Sequence, residues 1–376
     1  MTRVRLDFSE ISLLSLYQGL LQEGLSPASM DEGSRRIDYF QASLRPATGA
    51  RDHLLQSDEL FQAGLTRLSL ARFQNLYRTY SGEALPWFIQ DAAVLQRFDD
   101  HIALWRRNHP DSTGATEALA RHIYSWVTDA SGLGIVPQEG GPERSAEQTL
   151  AAHSGDCTEF VKIFLALLSR AGFSPFPVWV SGDLQGNNVH HFSTGIEIDG
   201  RTFLLDPVYG TFNAPHRRFT RIDLREFLGW HWNNVALDEA QAGHPAASQA
   251  AFQRALQISP DNPHLYLNRG IASARSGNTA QARRDFLRSL RIDPQFHPAQ
   301  YELGNLAFDS GHYEEATRRY RFAIRGAPSE VDYRRNLILS LLHRRRMDEA
   351  REELSFLSLQ GSSQPDLMSL LENDEP

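Results

Sequence analysis

Residues 154–182 have the sequence SGDCTEFVKIFLALLSRAGFSPFPVWVSG, which changes partway from one pattern of apolar residues to another. The first half repeats apolar residues at the spacing of one helix face: Phe160, Phe164, Leu167 and Leu168. That spacing predicts an α-helix over 158–170. Gly172 stands where a helix commonly ends, because glycine tolerates the left-handed backbone of a C-terminal cap. The β-branched and aromatic residues of 176–182 then predict a strand.

Two further strands are predicted downstream, joined by a tight turn. The segments HHFSTGIEID (190–199) and TFLLDPVYG (202–210) are rich in β-branched and aromatic residues. Asp199-Gly200 suits a two-residue hairpin turn, because both positions of such a turn need a positive φ angle. The sequence therefore predicts an antiparallel hairpin after the helix, and an α+β fold with an antiparallel sheet.

The chain before this region is expected to be helical. Three apolar stripes at helical spacing lie in it: Leu13 to Leu21, Phe61 to Leu76, and Leu95 to Trp105. The breaker-rich segment NHPDSTGATEAL (108–119) marks the start of a new unit. Within that unit, Ser145 and Gln148 have the spacing of a capping box at a helix start. We therefore expect a helical N-terminal region over 1–108 and a second domain over 109–228.

The sequence after residue 228 repeats with a period of 34 residues. Similar residues stand one period apart: Gly270 and Gly304, Gly277 and Gly311, Ala282 and Ala316, Phe286 and Tyr320, Pro294 and Pro328. This pattern resembles tetratricopeptide repeats (TPR), which are stacked helix pairs. The resemblance covers 229–364, with about four repeats of which the outer two are degenerate, and 365–376 is expected to be an acidic tail. It implies an all-α solenoid whose concave face binds a protein partner.

The overall composition is that of a soluble globular protein, with 41% hydrophobic and 22% charged residues. A net charge of -8 argues against nucleic acid as a partner, because binding to phosphates needs basic surface. No apolar run approaches the roughly 20 residues that cross a bilayer. The first residues also lack the pattern of a secretory signal, so we expect a cytoplasmic protein with no membrane partner.

The candidate site is centred on Cys157, the only cysteine, at the start of the predicted helix. A helix start carries unpaired N–H groups and partial positive charge, which favour a thiolate and can hold an oxyanion. His191 and Asp206 lie on the two strands of the predicted hairpin, and its turn brings them side by side. The carboxylate can then orient the imidazole and leave its other nitrogen for the sulfur. These residue types in this order predict a Cys–His–Asp catalytic triad.

Together these motifs resemble the transglutaminase-like superfamily. The segment 155–182 is similar to the cysteine segment of that family, a helix that leads through a glycine into a strand, and 190–210 is similar to its histidine strand, turn and Asp-Pro strand. The resemblance covers about 115–215. Ser193 and Gly195 depart from the aromatic and acidic residues that the family often has there. The resemblance implies a papain/transglutaminase-like core, and a cysteine hydrolase or acyltransferase that forms a thioester with an amide substrate.

Other interpretations stay open for the same residues. A lone cysteine is often a small buried hydrophobe, and His190 should face away from the site because side chains alternate along a strand. Gln138 lies upstream in a suitable loop for an oxyanion donor, but solvated loop polarity is the favoured interpretation. Paired zinc ligands at short spacing are lacking, so neither a metal nor a cofactor is expected.

Two hypotheses for function follow. The first is a thiol-dependent enzyme that acts on amide bonds of a protein or peptide, as a cysteine protease, amidase or transglutaminase, with the repeats recruiting the substrate or a partner. The second is a non-catalytic interaction scaffold whose transglutaminase-like domain is idle. The sequence does not distinguish hydrolysis from transamidation.

Overall fold

A computed structural model describes residues 85–109, 114–138, 141–182, 188–216, 218–359, 362 and 364–372, with only the backbone for 188–190, 370 and 372. The two apolar stripes predicted before residue 85 lie outside these ranges. The chain divides into two compact units, Met1–His231 and Trp232–Pro376.

The first unit combines helices with short strands. Its helices are α1 (Ala92–Asn108), α2 (Ala115–Thr128), α3 (Ala146–Ala152) and α4 (Cys157–Arg170). Its strands are β1 (Val136–Pro137), β2 (Ser154–Gly155), β3 (Phe176–Gly182), β4 (Asn188–Ile198), β5 (Arg201–Asp206), β6 (Thr211–Phe212) and β7 (Arg218–Arg221). Helix α5 (Leu224–Gln241) contains the boundary between the two units.

The main sheet is antiparallel and has the strand order β6-β5-β4-β3-β7. Strands β4 and β5 form the predicted hairpin, in which Ile198 pairs with Arg201. The turn residues Asp199 and Gly200 have φ angles of 50° and 73°, as that type of turn requires. Strands β1 and β2 form a separate parallel pair directly before α4.

Helix α4 is the central helix of this unit. The four apolar residues that predicted it are all buried: Phe160, Phe164, Leu167 and Leu168. They share one hydrophobic core with Trp126 of α2 and Ile196 of β4. Helix α1, which the sequence assigned to the N-terminal region, contributes Phe98 and Ile102 to the same core. The core therefore holds the start of α4 close to the sheet.

Gly195 has a packing role within the main sheet. It pairs with Phe176 across β3 and β4. A Cβ atom at Gly195 would lie 2.3 Å from the ring of Phe176, which is far inside van der Waals contact. The aromatic ring therefore occupies the space that a larger side chain would need at this position.

The second unit is entirely helical in the residues described. After α5 come α6 (Pro245–Ile258), α7 (Pro263–Arg275), α8 (Thr279–Ile292), α9 (His297–Asp309), α10 (Tyr313–Gly326), α11 (Val331–His343), α12 (Met347–Leu359) and α13 (Pro365–Glu372). A Cβ at Gly270 would lie 2.4 Å from the ring of Phe286, and one at Gly304 would lie 2.6 Å from that of Tyr320. The repeated glycines thus let an aromatic ring of the second helix approach the backbone of the first.

The C-terminal end differs from the expectation of an acidic tail. Residues 365–372 form α13, and Leu367 and Leu371 are buried in the core of the last helices. The short apolar pattern of this segment was obscured by its acidic neighbours. In the part of the chain described, no helix is long and apolar enough to cross a membrane.

Candidate functional site

The β4–β5 hairpin brings His191 and Asp206 into contact. The ladder pairs Thr194 with Leu205, a register that places Ser193 opposite Asp206. His191 lies two residues further along the same face of β4, so it is a diagonal neighbour of the carboxylate. Its Nε2 lies 2.8 Å from Oδ2 of Asp206. That hydrogen bond leaves Nδ1 of His191 for another partner.

The Asp206 carboxylate is buried and has two further donors. Nε2 of His216 lies 2.6 Å from the same oxygen, Oδ2, and the backbone N–H of Tyr209 donates to Oδ1 at 3.3 Å. Burial raises the pKa of Asp206, but hydrogen bonds from His191 and His216, together with their charge, hold that pKa below its usual range. The group is therefore a carboxylate at neutral pH.

His216 was missed by the sequence analysis. It lies ten residues after Asp206, between β6 and β7, in a segment without strand or helix periodicity. No spacing rule connects such a segment to a carboxylate, because the contact depends on the path of the folded chain.

Cys157 is the first residue of α4, as predicted. The preceding residue, Asp156, caps the helix by accepting from the N–H of Glu159, whose side chain accepts in turn from the N–H of Asp156. This capping box fixes where the helix begins. The partly buried sulfur receives a hydrogen bond from the backbone N–H of Phe192, the residue after His191. The structure therefore brings Cys157 to the strand that carries His191.

The electrostatic setting of Cys157 differs from the sequence-based expectation of a stabilised thiolate. Burial raises the pKa of the thiol to about 12, and the negative charge of Asp156 acts in the same direction. The N–H of Phe192 lowers the pKa, whereas Glu143 and Asp206 raise it further. The capping carboxylate next to the sulfur opposes the positive end of the helix. The resting group is therefore a thiol that needs a base.

A buried polar cluster lies directly beside the start of α4. Lys162, the only lysine in the chain, is fully buried and donates to Glu143 and to the carbonyl of Arg144. His231 contacts the same Glu143 oxygen at 2.9 Å, and the hydroxyl of Thr158 donates to the other oxygen at 3.0 Å. Burial raises the pKa of Glu143, but the charge of Lys162 and the bond from His231 lower it to about 2.

Gln138 lies next to the segment that leads into Cys157. Its backbone N–H donates to the carbonyl of Gly155 at 2.9 Å, which continues the β1–β2 ladder. The hydroxyl of Ser154 donates to its side-chain oxygen at 2.6 Å. The exposed amide is thus oriented by Ser154, and no contact with the sulfur defines a role for it.

The other polar residues considered from the sequence have separate surroundings. The side chain of His190 lies outside the described residues. Nδ1 of His153 contacts the carbonyl of Leu133 at 3.0 Å. Over the described ranges, no group of three or more His, Cys, Asp or Glu side chains is arranged to hold a metal ion.

The family comparison identifies the repeats. The tetratricopeptide repeat family matches residues 236–295 and 301–355. This match confirms the repeats predicted for the C-terminal region, a fold that generally binds proteins or peptides. No curated protein matches the chain.

Several solved structures are similar to part of the chain. A crystal structure of MamA is 16% identical with a TM-score of 0.31, covering 34% of this chain and 69% of that one. PilF of Pseudomonas aeruginosa is 19% identical with a TM-score of 0.36, covering 40% of this chain and 68% of that one. The first TPR domain of Spaghetti (RPAP3), bound to an HSP90 peptide, is 19% identical with a TM-score of 0.28, covering 30% of this chain and 89% of that one.

Proposed function

We propose that the first unit is a thiol-dependent acyl-transfer enzyme acting on an amide bond of a protein or peptide, with Cys157, His191 and Asp206 as its catalytic residues. The observation that carries the proposal is the hydrogen bond between His191 and Asp206, on a hairpin whose strand β4 also contacts the sulfur of Cys157 through Phe192. A nucleophile, a base and a group that orients the base are the minimum for this chemistry.

The chemistry follows from these positions. Nδ1 of His191 takes the thiol proton while the sulfur of Cys157 attacks the amide carbonyl carbon. The first N–H groups of α4 lack partners within the helix and stabilise the negative oxygen that forms. When the C–N bond breaks, His191 returns the proton to the leaving amine and a thioester remains. Water then gives an acid, or an amine gives a new amide.

Because the pKa of the Cys157 thiol is raised, the proposed reaction requires His191 to remove the thiol proton. A thiol with a pKa of about 12 carries almost no charge at neutral pH, so its nucleophilicity depends on proton removal during the attack. The carboxylate of Asp206 stabilises the imidazolium that forms in that step. In this proposal the proton moves from sulfur to imidazole as the substrate reacts, rather than before it binds.

The repeats supply a second part of the proposal. Stacked helix pairs present an extended surface on which a protein can dock. We infer that the second unit recruits either the protein whose amide reacts at Cys157 or a partner that regulates the reaction. The competing function is an interaction scaffold with an idle first unit, and the high thiol pKa is the observation that favours it.

Alkylation of the full-length chain distinguishes the two functions. Cys157 is the only cysteine, so a mass shift after iodoacetamide treatment reports on that residue alone. Rates are measured from pH 6 to pH 9 for the wild type, His191→Ala, Asp206→Asn and the control His190→Ala. We expect His191→Ala to slow labelling at pH 7 by about 100-fold, the lower end of general-base effects, and His190→Ala to leave it unchanged.

The scaffold hypothesis gives a different result. Without a working base, labelling stays slow in all four proteins and rises only with hydroxide concentration. Equal rates in the wild type and His191→Ala would therefore remove the enzyme proposal and leave the interaction function of the repeats.

A further inference from the structure

His216 occupies a buried position beside the Asp206 carboxylate. Its imidazole is completely shielded from solvent, and its Nε2 lies 2.6 Å from Oδ2 of Asp206. The segment that carries it is anchored to the sheet by Ala214, whose N–H donates to the carbonyl of Leu204 at 3.0 Å. The fold therefore delivers a second imidazole to the oxygen that His191 already uses.

The surroundings of Nδ1, the other ring nitrogen of His216, argue against a purely stabilising role for this residue. Nδ1 is buried and has no hydrogen-bond partner among the residues that the structure describes. Burying a polar atom without a partner costs roughly 1–3 kcal/mol. An apolar side chain at position 216 would avoid that cost, so the contact with Asp206 is the feature that accounts for an imidazole there.

Both carboxylate oxygens of Asp206 accept hydrogen bonds from residues other than His191. His216 donates to Oδ2, and the backbone N–H of Tyr209 donates to Oδ1. The Tyr209 ring also lies edge-on to the imidazoles of His191 and His216, with centroid distances of 5.4 and 5.2 Å. Rotation of the carboxylate would break both external hydrogen bonds, so its orientation toward His191 is fixed before any substrate binds.

This arrangement also determines the proton positions. A carboxylate oxygen only accepts, so both contacting Nε2 atoms must carry a proton. In neutral His191 the remaining nitrogen, Nδ1, is then an acceptor and can take the proton of Cys157. The orientation of the carboxylate thus selects the tautomer that the proposed reaction requires.

We propose that His216 is a positioning residue that holds the Asp206 carboxylate in place for His191. The inference rests on the proposed function of Cys157. Loss of His216 removes the second donor to Oδ2, so the carboxylate becomes mobile and orients the imidazole of His191 less well.

The effect appears in the rate of Cys157 alkylation. A mobile carboxylate lowers the plateau rate, because His191 is then less often oriented to take the thiol proton. Tyr124 of α2 and Cys157 of α4 also interact electrostatically with Asp206, and both are unchanged in the variants below.

Two substitutions separate hydrogen bonding from the filling of space. His216→Phe retains a buried ring without a donor, whereas His216→Gln retains an N–H that can reach Oδ2. Each is compared with the wild type by iodoacetamide labelling of the full chain from pH 5 to pH 9, with thermal unfolding as the measure of stability. We expect His216→Phe to lower the plateau rate at least about tenfold. His216→Gln should restore most of the rate.

The contrary results are distinct. Equal profiles for the wild type and His216→Phe, or equal losses in the Phe and Gln variants, would overturn the positioning role while His191→Ala still slows labelling. If neither variant folds, His216 is a stability residue and the inference is overturned. If His191→Ala labels as fast as the wild type, the proposed function fails, and the role of His216 fails with it.

Discussion

The imidazole of His191 reaches the carboxylate of Asp206 at 2.8 Å although the two residues are not direct partners in the β4–β5 ladder. Ser193 stands opposite Asp206, and its hydroxyl donates to the carbonyl of Leu205 at 2.9 Å. A small side chain at 193 leaves the space over the carboxylate for the diagonal approach of His191. The serine at position 193 is thus compatible with the contact on which the proposed chemistry depends.

The orienting role of the Asp206 carboxylate can be tested with a substitution that keeps the size of the side chain. Asp206→Asn keeps the size of the side chain, but an amide cannot accept from two imidazoles and stabilise positive charge as a carboxylate does. We expect the labelling rate of Cys157 at pH 7 to fall by about tenfold or more, but by no more than in His191→Ala, because the carboxylate acts through the imidazole. The measurement is the rate of iodoacetamide labelling. A rate within about threefold of the wild type would show that His191 does not need Asp206.

The elements that periodicity determines were predictable. The stripe of α4, the turn at Asp199-Gly200 and the 34-residue repeat are all local patterns, in which backbone geometry dictates the spacing of residue types. The hairpin register then followed from the turn, which is why the neighbouring positions of His191 and Asp206 could be derived before the structure was known.

Features that depend on burial and on irregular segments were not predictable. The helix start at Cys157 suggested a thiolate, but the folded chain buries the sulfur and places carboxylates near it. His216 comes from a segment without regular structure, so no sequence pattern pairs it with Asp206. Lys162 is another example, since its charge is buried on a helix whose buried residues are mostly apolar.

The buried pair of Lys162 and Glu143 predicts a large effect on stability. Lys162→Met removes the positive charge and leaves the Glu143 carboxylate buried without its main partner. We expect the free energy of unfolding to decrease by about 3–5 kcal/mol, measured by urea denaturation. The matched control is Lys162→Met combined with Glu143→Leu, which removes both charges and should recover part of the loss. Additive losses in the double variant would contradict coupling between the two residues.

The lowered pKa of Glu143 predicts how the free energy of unfolding depends on pH. The pKa of Glu143 is lowered from 4.5 to about 2 in the folded state. The folded state therefore holds the proton of Glu143 less tightly than the unfolded state. The contribution of the ionised carboxylate to the free energy of unfolding is complete above pH 4.5 and is lost as the pH falls toward 2. The contribution is about 3 kcal/mol. Urea unfolding at pH 7, 4 and 3 measures it, and Glu143→Gln should flatten this part of the curve. An unchanged slope in that variant would assign the acid sensitivity to other groups.

The repeat glycines provide a test of packing in the second unit. A methyl group added by Gly270→Ala would lie 2.4 Å from an edge carbon of Phe286, which is itself completely buried. The ring cannot move without disturbing its neighbours, so we expect a loss of about 1–3 kcal/mol in the free energy of unfolding. Combining Gly270→Ala with Phe286→Leu removes the clash, because leucine is shorter than the ring. The double variant should therefore be less destabilised than the sum of the two single changes. An additive result would show that the glycine does not accommodate the ring, and that the 34-residue period has another physical origin at this position.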